Sequence, residues 1–255
     1  MLEVCVDDAA GIDAALSGGA DRLELASALA LGGLTPPESL VRYATRQPIA
    51  VHLLARPRDG GFRYGAADAA LVADDIRLAA EAGLAGVVIG ASGEYRTLDE
   101  GLLSQWVAHA RALGEARGAP LSLTLHRAFD LCPDLDAALD SAIALGFDRI
   151  LTSGGAPRAP DALAVLARLH QRAGGRIILL AGSGVDPSNA EAILATGVRE
   201  LHSSCSTAAA MHDDTSPEVS FGFESVGKKR TDRRKVAEMR QIISQVRYNL
   251  NHTNT

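Results

Sequence analysis

Eight short apolar runs alternate with longer Ala/Leu-rich stretches, and this alternation narrows the possible folds more than any other feature of the chain. The runs fall near 2–7, 22–27, 49–55, 86–90, 121–127, 149–153, 176–181 and 200–204. Helical patterns lie between them, over 9–17, 37–46, 66–82, 99–117, 134–145, 161–173 and 187–195. Several of these end at a glycine (Gly18, Gly83, Gly146, Gly197) just before the next run, as helices that stop in a left-handed turn do. Strand–helix alternation predicts a parallel sheet. Eight strands in 255 residues predict a single-domain α/β protein, a closed (β/α)8 TIM barrel. A doubly wound open sheet is the competing arrangement, but the Gly-rich nucleotide fingerprint it often carries is absent after the first run.

The barrel core is expected over 1–206, a long flexible loop over 207–234, and a last helix with a frayed tail over 235–255. Aromatic residues are only 4% of a chain that is 47% hydrophobic, so the core must be built from Ala, Leu, Val and Ile. A net charge of -6 argues against nucleic acid or an anionic membrane as partner. The basic cluster Lys228, Lys229, Arg230, Arg233, Arg234 and Lys235 therefore reads as a solvated charge run. Cys5, Cys132 and Cys205 are odd in number and widely spaced, which implies no disulfide framework and fits a reducing cytoplasm. No leader pattern and no bilayer-length apolar run is present.

Alternation within the strands sorts side chains into two faces. Leu2, Val4 and Val6 oppose Glu3, Cys5 and Asp7; Leu23 and Leu25 oppose Arg22, Glu24 and Ala26. Val51, Leu53 and Ala55 oppose His52, Leu54 and Arg56, while Leu121, Leu123 and Leu125 oppose Ser122, Thr124 and His126. Leu201 opposes Glu200 and His202. The apolar set must meet the helices, so the polar set must line the barrel interior. Charges buried there must be paired or must bind something. Internal ion pairing suits the deeper Glu3 and Glu200. Arg56, His126 and His202 lie toward strand C-termini, where barrel active sites are built.

Loop motifs add candidates. In "RPRDGGFRY", Arg56 and Arg58 with Phe62 and Tyr64 suggest an anion clamp or lid. "LTSGGA" and "LAGSGV" end successive strands, and Ser153, Gly154, Gly155, Gly182, Ser183 and Gly184 can offer backbone N–H groups to phosphate. Thr35 reads as a helix N-cap ahead of Pro36 and Pro37. "LTLHRAFD" supplies His126, with Arg127 and Asp130 able to pair locally. "ELHSSCS" places His202 and Cys205 next to Cys5 around a closed barrel, and a thiolate–imidazole group there suits a soft cation, although a buried Cys5 also serves simply as a small hydrophobe.

Taken together, "DRLELASALALGGLTPPESL", "VHLLARPRDGGFRY", "LTLHRAFD", "RILTSGG", "LAGSGV" and "ELHSS" resemble the CutC family of copper homeostasis proteins, in order and from Met1 to about Ser206. The resemblance implies a (β/α)8 barrel, a cytoplasmic location, a homodimer or higher homo-oligomer, and a role in copper tolerance or Cu(I) binding. Cys5 and Cys132 match cysteines of related proteins; the strand-two position that often holds cysteine is Ala26 here. Two functional expectations follow. One is Cu(I) bound by Cys5, Cys132 and His126, with His202 as a further candidate. The other is a barrel enzyme of lyase or isomerase type acting on a small anionic or phosphorylated metabolite. There His126 would be acid or base, Glu24 its complementary carboxylate, and Arg56 and Arg127 would hold the anion. A third and blander expectation is a scaffold whose interior charges only pair with one another.

Overall fold

The computed structural model describes residues 1–208 and 215–252. Eight strands pair in parallel in chain order: β1 (Leu2–Val6), β2 (Arg22–Leu25), β3 (Ala50–Leu54), β4 (Gly86–Ile89), β5 (Ser122–Leu125), β6 (Arg149–Thr152), β7 (Ile178–Ala181) and β8 (Glu200–Ser203). β8 returns to pair with β1, Glu3 opposite His202, and closes the barrel. The strands are followed in turn by α1 (Ala9–Gly18), α2 (Glu38–Ala44), α3 (Ala66–Glu81), α4 (Glu100–Ala116), α5 (Leu135–Leu145), α6 (Leu163–Ala173) and α7 (Ala190–Ala195). The fold is therefore a (β/α)8 barrel, and the open sheet is excluded.

Local chemistry starts these helices where the pattern places them. The side chains of Asp8, Asp99 and Asp134 accept from backbone N–H groups of the first turns of α1, α4 and α5. Thr35 does not cap α2, whose N-cap position is Pro37; its hydroxyl instead donates to Asp75 at 2.7 Å and accepts from the Arg56 N–H at 2.9 Å. The outward strand residues Val4, Val6, Leu23, Leu53, Val87 and Leu123 share one buried core with the helices.

After β8 come β9 (Ser206–Ala208), the one-turn helix α8 (Pro217–Ser220), β10 (Lys229–Thr231) and α9 (Arg233–His252). β9 and β10 form an antiparallel ribbon, Ser206 opposite Thr231 and Ala208 opposite Lys229, within the segment expected to be a loop. Three-residue strands are too short to show an alternation. The 209–214 part of that expected loop lies outside the described residues. α9 packs against α1 and α7 through buried Val236, Met239 and Ile243. The approach to α1 is close: a Cβ on Gly18 would lie 2.4 Å from Cβ of Val236. Among the described residues no helix is long and apolar enough to cross a membrane.

Candidate functional site

The inward face begins with a layer of charge. Fully buried Glu3 pairs with Arg22 and, at 2.8 Å, with Nδ1 of His202. Arg22 also donates to Glu200 at 2.7 Å, and Arg149 joins Glu200 at 2.9 Å and Ser122 at 2.6 Å. Burial opposes the charge on Glu3, but His202 and Arg22 outweigh it and hold the carboxyl well below the usual carboxylate range. These deep residues satisfy one another, as the internal ion-pair reading expects for Glu3 and Glu200. Buried His52 stands 3.9 Å from Glu3, and burial drives its pKa down to about 4.

Beyond this layer a cavity of about 1090 Å³ opens at the C-terminal ends of the strands. Glu24, Arg56 and His126 all line it, each buried, and each carries a side-chain atom without a hydrogen-bond partner among the described residues: Oε2, Nε and Nε2 respectively. A buried polar atom left unpaired costs about 1–3 kcal/mol, so three on residues lining one cavity favour a polar guest there.

Two of them are held from behind. The guanidinium of Arg56 donates to the carbonyls of Leu31, Gly33 and Gly60 at 2.9, 2.7 and 3.1 Å. The turn through Gly32, with left-handed backbone at Gly32 and Gly33, thus wraps the flanking carbonyls around a cation. Phe62 stacks between Arg56, 5.3 Å away, and the His126 ring, 4.6 Å away. His126 lies over Gly90, where a Cβ would come within 2.4 Å of the ring. Its Nδ1 accepts the Ala128 N–H at 3.1 Å, which puts the proton of the neutral ring on Nε2.

Protonation separates the two titratable members. Burial raises Glu24 to about 7. Burial, with Arg56 nearby, lowers His126 to about 3. His126 is thus a neutral N–H donor rather than the expected acid or base, and Glu24 is the group poised to exchange a proton near neutrality.

Other expected residues are placed differently. Arg58 lies off the cavity, tied to Asp68 at 2.8 Å and stacked on Tyr64 at 5.2 Å. Arg127 lines the cavity but is paired with Asp130 at 2.8 Å. Ser153 and Gly154 lie off the cavity. Backbone N–H groups of Ser153 and Gly155 already hold an anion, the Asp130 carboxylate, at 3.0 and 3.1 Å, and Gly154 donates to Thr152 at 2.9 Å. Gly182 is a space-maker: a Cβ there would meet Leu151 at 2.5 Å and His202 at 3.2 Å. Gly184 does line the cavity.

The expected copper set is not assembled. Cys132 lines a separate, smaller cavity beside Asp134 and Arg168, and burial pushes its thiol up to about 11. Cys5 instead shares the mouth with His202 and Cys205. Burial opposes protonation of His202, yet Cys5, Glu24 and Glu3 around it raise its pKa well above 6.5. Burial pushes Cys205 up to about 11. Ligand atoms of Glu3, Glu24 and His202 all lie within 4.8 Å of one another, the one such group among the described residues, but Glu3 is committed to Arg22.

Sequence reasoning overlooked Arg158 and the 225–231 ribbon, which also line the mouth. The only signal was the basic cluster, read as solvated.

These features define a (β/α)8 barrel with a polar cavity at its functional end. The chain belongs to the CutC family, whose model matches residues 1–207. A family protein CutC from Sinorhizobium medicae is 47% identical over 244 residues, covering 95% of this chain and 96% of the relative. One from Vibrio cholerae is 44% identical over 209 residues, covering 81% and 80%. A solved structure described as a candidate copper homeostasis protein CutC from Streptococcus agalactiae is 27% identical with a TM-score of 0.74, covering 80% of this chain and 98% of its own. Thiamine phosphate pyrophosphorylase from Pyrococcus furiosus, 16% identical with a TM-score of 0.54, shares the fold alone.

Proposed function

We propose that this CutC-family chain serves copper homeostasis and takes Cu(I) as cargo at the barrel mouth, on Cys5, His202 and Cys205. The observation that carries this reading is the gathering of two buried thiols and an imidazole in one cavity, away from Cys132. Cu(I) prefers such soft donors over carboxylates. The role follows the description of the Streptococcus agalactiae relative. Binding must displace the protons on His202 and Cys205, so affinity rises with pH. Competition against a Cu(I) chelator tests it: Cys5→Ser should weaken Cu(I) binding at least tenfold and Cys132→Ser should leave it unchanged. The reverse pattern would sink the site. The three free cysteines fit a reducing cytoplasm. A homodimer or higher homo-oligomer carries over from the family resemblance, and light scattering of the purified chain reads it.

A second reading is favoured by the three unpartnered atoms, which Cu(I) on thiols does not use. Here the cavity performs acid–base chemistry on a small anionic molecule, of lyase or isomerase type. Glu24 takes a proton beside a carbonyl, and the oxygen that gains charge accepts hydrogen bonds from Nε2 of His126 and Nε of Arg56. A metabolite screen by thermal shift tests it. No hit with the native chain would count against the reading, as would hits that His126→Gln leaves unchanged.

A further inference from the structure

We infer that the mouth cavity takes a phosphorylated small molecule, with its phosphate held between the loop after β7 and the basic ribbon β9–β10. The inference rests on the small-molecule reading of the cavity and adds the part of the ligand that the Glu24–Arg56–His126 group does not reach.

The loop after β7 is the first support. Ser183 and Gly184 line the cavity with left-handed backbone, φ 75° and 67°. Left-handed backbone at a serine is strained, and such strain persists where the surroundings impose it. The N–H groups of Ser183 and Gly184 make no hydrogen bond among the described residues. The neighbouring loop after β6 serves as a control within the same molecule. It also carries left-handed glycines, Gly154 and Gly155, and its N–H groups close on the carboxylate of Asp130. One glycine loop is filled by an internal anion; its neighbour has no internal anion and faces the cavity.

Charge is the second support. Arg158 packs over Gly184 and lines the same cavity, where Lys228, Lys229 and Arg230 reach it from the ribbon. Acidic side chains line it too, but each has its own work. Asp8 caps α1, Asp7 accepts the Leu29 N–H and Asp186 accepts from Ser188, while Glu24 belongs to the opposite end; Glu224, off the cavity, pairs with Lys228. The ribbon is fixed over the mouth at its base: the Asp232 N–H donates to the Cys205 carbonyl at 2.9 Å and Lys235 to that of Ser206 at 2.8 Å. Lys228, Lys229, Arg230 and Lys235 thus contribute to the cavity wall, Lys229 and Arg230 while remaining exposed, whereas Arg233 and Arg234 are solvated as the sequence suggests.

The third support is the built end opposite. Arg56, Glu24 and His126 are each more than nine-tenths buried and each offers an unpartnered atom. Backbone N–H groups and cations at one end suit a phosphate dianion. A proton-exchanging carboxyl and two N–H donors at the other suit a hydroxyl or carbonyl. A phosphomonoester of a short polyhydroxy compound meets both ends.

The test is equilibrium binding to the full chain at matched ionic strength. The probes are inorganic phosphate, ribose 5-phosphate and ribose. Inorganic phosphate and ribose 5-phosphate should bind, the ester more tightly, and ribose should not. Reversing the exposed ribbon charges (Lys229→Glu with Arg230→Glu) should weaken both phosphate probes at least tenfold. His126→Gln should weaken the ester but leave inorganic phosphate within twofold. No binding of either phosphate probe overturns the inference, as does unchanged affinity in the ribbon variant. An ester affinity untouched by His126→Gln, with the ribbon effect intact, instead overturns the acid–base reading alone.

Discussion

At the residue scale, Glu24 and His126 share a cavity, yet burial moves them in opposite senses. It disfavours whichever form is charged, raising the acid to about 7 and lowering the base to about 3. Strand alternation alone places Glu24, Arg56 and His126 on the inward face. It does not say which of them carries the proton, because that depends on how deeply each is buried. A consequence follows for stability. The folded carboxyl of Glu24 holds its proton up to about pH 7, whereas its ordinary value is 4.5. Stability from this group therefore falls as pH rises through that window and does not return above it. Glu24→Gln should raise Tm at pH 8 relative to the native chain and give little or no gain at pH 4.5; an equal gain at both would contradict the raised pKa. Gly90 offers a second test. Alanine there would push on the His126 ring 2.4 Å away, so Gly90→Ala should cost about 1–3 kcal/mol in urea unfolding.

At the element scale, the loop after β6 shows how a correct pattern can carry a different meaning. "LTSGG" does make an anion-binding turn, but the anion is Asp130, twenty-odd positions earlier in the chain. No spacing rule links the two, because the parallel pairing of β5 with β6 across the α5 crossover brings them together. Asp130→Ala leaves the Ser153 and Gly155 N–H groups unpaired and should cost about 1–3 kcal/mol, read as a lower denaturant midpoint. The final helix was legible from its apolar spacing, and the ribbon before it was not. Met239 is fully buried between α9 and its neighbours, so Met239→Ala should cost about 2–5 kcal/mol; a cost well below that would mean that α9 does not pack on the barrel in solution.

At the scale of the whole molecule, eight repeats of strand and helix made the barrel legible, since each short apolar run sits at its own position in the closed sheet. The polar interior was legible as well, from alternation. What the chain order conceals is the pairing across the barrel: Cys132 follows a strand end, yet it turns away from the mouth, while Cys205 joins Cys5 only because β8 closes on β1. The interior also sets an acid limit. His52 and His126 have folded pKa values of about 4 and 3, below the ordinary 6.5, so the unfolded chain takes up their protons first as pH falls. Glu24 opposes this with one proton of the other sign between 4.5 and 7. Asp75, raised from 3.8 to about 6, opposes it with a second, so the terms nearly cancel between pH 6 and 5. Stability should fall steeply only between pH 5 and 4, where Glu3, its folded carboxyl held low, adds to the two histidines; urea unfolding reads it.

If copper is the cargo, it is expected at the barrel mouth and not in the Cys132 pocket. Crystals of the full chain grown with Cu(I) under reducing conditions and measured at the copper absorption edge test it most directly. One anomalous peak is expected, within bonding distance of the Cys5 sulfur and a His202 ring nitrogen. A peak at Cys132, or none in the mouth, would contradict it.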